Sequence, residues 1–96
     1  MERTKRYWWA HGTPTTLVLF RTPDEWRFAV HFDEPRGVAD GRLDDPAPSG
    51  EPGTAQAALH RRAEELAHRR LEIAWREADG PGWWTGTVTG CGPLRP

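Results

Sequence analysis

Between Trp26 and Phe32 the chain reads WRFAVHF, an alternation that sends Trp26, Phe28, Val30 and Phe32 to one face of an extended strand and Arg27, Ala29 and His31 to the other. A face carrying three aromatic rings must be covered, since each buried aromatic withdraws roughly 150 to 250 Å² from water. The preceding run, Thr15 to Arg21 (TTLVLFR), is β-branched and apolar. Thr22-Pro23-Asp24-Glu25 joins the two runs with proline at the position a type I turn favours. Together they predict a β-hairpin.

One later segment can supply the cover. Thr54, following Pro52-Gly53, reads as the N-cap of a helix reaching about Arg70. Ala55, Ala58, Leu59, Ala63, Leu66 and Ala67 fall on one stripe, and Gln56, His60, Arg61, Glu64, Glu65, His68 and Arg69 fall on the other side. The alanines let such a helix approach a sheet closely. Leu71 to Glu77 (LEIAWRE) alternates again, with Leu71, Ile73 and Trp75 on one face. Ala78 to Gly82 carries turn residues, and Trp83 to Thr89 (WWTGTVT) reads as the returning strand. Gly86, in the middle of that strand, marks a bulge or a place where another backbone or ring packs close.

A short aromatic segment, Tyr7 to Ala10, is a candidate first edge strand, closed by the turn formers Gly12 and Pro14. The expected fold is therefore α+β and two-layered: an antiparallel sheet of four to five strands with one amphipathic helix on one face, in the order (β)ββαββ. At 96 residues there is room for one core, so residues 1–96 are read as a single domain with its core at about 7–89. From Asp33 to Gly53 six acidic residues stand against two arginines, among four prolines, and Val38 and Leu43 are the sizeable aliphatics. Residues 33–53 are therefore expected to be a mobile acidic loop, and residues 90–96 a loose tail.

Composition removes several functional classes. The formal net charge of −1 gives no global attraction to nucleic acid or to an anionic membrane. No run approaches the roughly 18 apolar residues of a membrane span, and the basic, aromatic N-terminus lacks the apolar stretch of a signal peptide. With Cys91 as the single cysteine, there is no disulfide framework and no multi-cysteine zinc site, and a cytoplasmic location is expected. Twelve of the thirteen basic residues are arginine, which together with the alanine, glycine and proline content reads as a high-GC bacterial coding sequence.

His60, Glu64 and His68 are spaced four and four, but residues eight apart on a helix are about 12 Å apart and do not converge on one ion. No metal site is expected. Asp40, Asp44 and Asp45 lack the alternating oxygen ligands of a calcium loop. Cys91, between glycines and with no sequence-adjacent histidine, reads as an exposed thiol and not as a catalytic nucleophile. No cofactor and no enzymatic activity are expected, and no motif ties the chain to a known family.

What stands out is the tryptophan pairs. Trp8-Trp9 and Trp83-Trp84 each fall on an expected strand, so neighbouring rings must point to opposite faces, and one helix cannot cover both. The leading expectation is a small interaction or regulatory protein that uses its second sheet face to form a homodimer or bind a protein partner, with Trp8, Arg27, His31 and Trp83 lining that face, the choice of ring within each tryptophan pair depending on a strand register that local sequence leaves open. The alternative is a nucleic-acid-binding module that contacts phosphates through Arg61, Arg62, Arg69 and Arg70, helped by Arg3, Lys5 and Arg6.

Overall fold

A computed structural model of the chain describes residues 12–44, 47, 50–78 and 80–94. Among the described residues, five antiparallel strands and one helix follow one another as β1 (Thr13–Arg21), β2 (Trp26–Asp33), β3 (Gly37–Leu43), α1 (Pro52–Ala67), β4 (Leu71–Glu77) and β5 (Trp83–Cys91). The sheet order is β3-β2-β1-β5-β4, which places β1 at the centre and leaves β3 and β4 as edges. The architecture is two-layer α+β. No helix among the described residues is long and apolar enough to cross a membrane.

The β1–β2 hairpin forms as the alternation requires. Leu17 pairs with Val30 and Leu19 with Phe28, and both pairs are buried beneath the helix. Thr22 closes the connection: its N–H donates to the Glu25 carbonyl at 2.8 Å, and its hydroxyl donates to the same oxygen at 2.9 Å. Helix α1 lays Ala55, Leu59, Ala63 and Ala67 against the sheet, where small side chains bring the two layers together.

Four expectations are corrected. The acidic segment 33–53 contains a strand, β3, paired along its whole length with β2. It escapes a hydropathy reading because its inward positions are Gly37, Ala39, Gly41 and Leu43, and the inner face there is filled by rings from the neighbouring strand. The Phe28 ring lies 3.5 Å from the point where a Cβ on Gly41 would stand. The helix begins at Pro52, with Glu51 as its N-cap and no side-chain cap, so Thr54 lies inside the first turn. Proline suits that start because its fixed φ matches the helix and its missing N–H would have had no partner. The helix also stops earlier than Arg70: His68 takes φ 56° and ψ 38° and turns the chain out, which places Arg69 and Arg70 beyond the helix. Finally, β5 runs on to Cys91, and the Gly92 N–H donates to the Arg70 carbonyl at 2.8 Å, so the start of the expected loose tail is part of the sheet. The candidate strand at Tyr7 to Ala10 lies outside the described residues.

Gly86 answers to close packing. A Cβ there would sit 2.8 Å from Ile73 Cγ2 and 3.0 Å from the Trp75 ring, so the missing side chain is the space Trp75 occupies. The irregularity in the β4–β5 ladder lies elsewhere: Glu72 pairs with Gly90 and Ile73 with Val88, so the extra residue is Thr89 on β5. At the opposite end of the inner face Trp26 is fully buried. Its indole N–H donates to the Ala47 carbonyl at 3.0 Å, and its ring meets that of Trp84 at 5.8 Å between centroids. The Arg21 guanidinium lies 4.6 Å over Trp26 and donates to the Gly50 carbonyl at 3.3 Å, pinning the segment before the helix across the end of the sheet.

Candidate functional site

The strand register fixes what the other face of the sheet presents. Residues directly opposite one another on neighbouring strands point the same way, so rows across the sheet can be read from the pairing. One row runs Arg42, Arg27, Phe20, Trp83. The next runs Asp40, Ala29, Val18, Thr85, Arg76, and the third runs Val38, His31, Thr16, Thr87, Ala74. Among the described residues no element packs on these rows, because the one helix lies on the other face.

At the heart of the first row Phe20 and Trp83 stack face to face, with ring centroids 4.3 Å apart and planes 9° from parallel. Trp83 nonetheless remains 42% exposed, while its chain neighbour Trp84 is turned inward against the core. Beside the stack, Glu25 accepts a hydrogen bond from Arg27 Nη1 at 2.7 Å and lies 3.5 Å from Arg42. This carboxylate fixes the Arg27 guanidinium next to the rings and compensates part of the local positive charge.

Three residues expected on this face, Arg27, His31 and Trp83, are thus brought together on it. The fourth, Trp8, lies outside the described residues, as do Arg3, Lys5 and Arg6. Phe20 and Val18, the apolar centre of the face, are not among the residues expected there. They follow from the alternation of TTLVLFR once Leu17 and Leu19 are assigned to the core.

The four arginines of the alternative reading are spread out. Arg62 is exposed on the helix, 3.9 Å from Glu65, and Arg69 follows the helix end. Arg61 and Arg70 come together on an open groove of about 690 Å³ between α1, the start of β4 and the end of β5, which Glu64, Glu72 and Cys91 also line. Sequence patterning could not show this groove, because it joins segments about thirty residues apart.

Inside the groove His60 and Glu64 have a structural task. The Leu71 N–H donates to Glu64 Oε2 at 2.9 Å, and His60 Nε2 donates to the Leu71 carbonyl at 2.8 Å, with Glu64 Oε2 3.2 Å from the same nitrogen. The Arg70 carbonyl is turned toward β5, so by antiparallel alternation the Leu71 N–H and C=O are turned to the open side of β4. The two helix side chains therefore hold both outward backbone groups of that residue. Among the described residues no group of three metal-ligating side chains converges. Compared with known proteins, no family model, no curated protein and no solved structure matches this chain.

Proposed function

We propose that this chain is a non-enzymatic interaction module whose outer sheet face is a protein contact surface. One observation carries the reading: a stacked Phe20–Trp83 pair, partly open to solvent and flanked by a guanidinium held in place, sits on a face that the helix leaves bare. Aromatic rings and arginine are the side chains that contribute most to contact energy, and a stacked pair loses little conformational freedom on binding. The lone cysteine and the high-GC composition support placing the protein in a bacterial cytoplasm.

The test is site-specific photocrosslinking in the producing cell. A photoreactive residue at Thr85, beside Trp83, is expected to give protein adducts that disappear when Trp83→Ser is added. The same residue at Glu65, on the exposed side of the helix, is expected to give few. Equal yields at the two positions would overturn the reading.

The second reading, nucleic-acid binding, is favoured by the convergence of Arg61 and Arg70 on the groove, with Glu64 and Glu72 in the same groove opposing it. It predicts salt-sensitive binding to random-sequence DNA or RNA, since phosphate contacts release counterions. A flat titration at low salt removes it.

A further inference from the structure

We propose that the partner of the outer face is a second copy of this chain, related by a two-fold axis that lies in the plane of the face and runs along β1. This rests on the reading of that face as a contact surface and specifies its occupant. The argument is the symmetry of the rows. Because β1 is the middle strand, a half-turn about it exchanges β3 with β4 and β2 with β5.

In the middle row this rotation lays Val18 on Val18, Ala29 opposite Thr85, and Asp40 opposite Arg76, the last pair occurring twice. In the first row Phe20 meets Phe20, and Arg27 of each copy comes opposite Trp83 of the other, a charge facing a neutral ring. In the third row Val38 meets Ala74 and His31 meets Thr87. Within these rows each charge that has a counterpart lands on an opposite charge or on a neutral residue, and Arg42 faces the end of β4, where the first row has no member. The other in-plane axis, crossing the strands at Val18, would set Asp40 against Asp40 and Arg76 against Arg76. Charge placement therefore selects one of the two.

The geometry is that of two sheets packed face to face, about 10 Å apart with strands within about 30° of alignment. Asp40 and Arg76 each stand two strands from β1, about 10 Å out, so the ion pairs form a rim around an apolar centre, where charges fix register more than they add affinity. A five-strand face of this length offers about 550 Å² per copy, or about 1,100 Å² in total, just above the size at which specific association begins. The pair is accordingly weak and reversible.

Sedimentation equilibrium on the full chain tests this. Wild type is expected to show a concentration-dependent monomer–dimer equilibrium. Asp40→Arg alone and Arg76→Asp alone each convert two attractions into repulsions and weaken the dimer roughly tenfold, and the double variant restores it to within about threefold of wild type. Far-UV circular dichroism and the unfolding midpoint, both measured at concentrations where the chain is monomeric, stay unchanged in all three, as both positions are exposed.

A dimer indifferent to the single reversals, or one that the double reversal fails to restore, overturns this pairing. A wild type that stays monomeric at every concentration overturns the second copy as occupant. In that case adducts at position 85 with other proteins would leave the contact-surface reading standing, whereas their absence would remove it as well.

Discussion

Trp83 and Trp84 are adjacent in the chain and share one strand, yet they belong to different chemistries. Trp84 joins Trp26 beneath the helix, among buried leucines and alanines. Trp83 stacks on Phe20 in the open, beside arginines and a carboxylate. The inner face is closed by a cover that belongs to the same chain, so its side chains are judged by how well they fill space. The outer face has no such cover among the described residues, so its side chains are judged by what they present. Alternation along five strands lets a chain of 96 residues carry both faces on neighbouring positions, and substitutions should separate them cleanly.

The largest effect is expected on the inner face. Trp26→Ala removes a fully buried ring together with its bond to the Ala47 carbonyl, and should cost about 3–5 kcal/mol in urea unfolding. Gly86→Val drives a side chain into Ile73 and Trp75 and should cost about 1–3 kcal/mol by the same measurement. Glu64→Ala leaves the Leu71 N–H without its acceptor. It should cost about 1 kcal/mol and speed amide exchange at Leu71. The smallest stability change is expected for Trp83→Ser, within about 1 kcal/mol of wild type. That same variant should abolish association in sedimentation, which is the sharpest form of the contrast between the faces. If Trp83→Ser proved as destabilising as Trp26→Ala, the two faces would not differ in kind.

The sequence made legible those parts of the fold in which local pattern and tertiary role agree. The Trp26 to Phe32 alternation, the turn at Thr22 to Glu25 and the alanine stripe of the helix all read correctly, because large apolar side chains there face the core they build. β3 did not, because Gly37, Ala39 and Gly41 face inward without apolar bulk and the missing volume comes from Phe28 on the neighbouring strand. The helix start was displaced because Thr54 looks like a cap, while the backbone uses Glu51 and Pro52. On the outer face, alternation alone placed Arg27 and His31 together, but choosing Trp83 over Trp84 required the β1–β5 register, which local sequence does not encode. The hold of His60 and Glu64 on Leu71 depends on how the helix docks, and in the sequence it had only the look of a solvated ridge.

That hold on Leu71 also bears on how copies of this chain would assemble in the proposed pairing. An edge strand with unmet N–H and C=O groups is a template: another strand can add to it, and the next to that one, giving growth without limit. At the start of β4 an incoming strand would first have to displace a histidine and a glutamate already bonded to the backbone. Lateral addition meets resistance there, while face-to-face contact does not. A two-fold pairing of faces closes on itself after two molecules, so the side chains that guard the edge favour a finite assembly over a fibre.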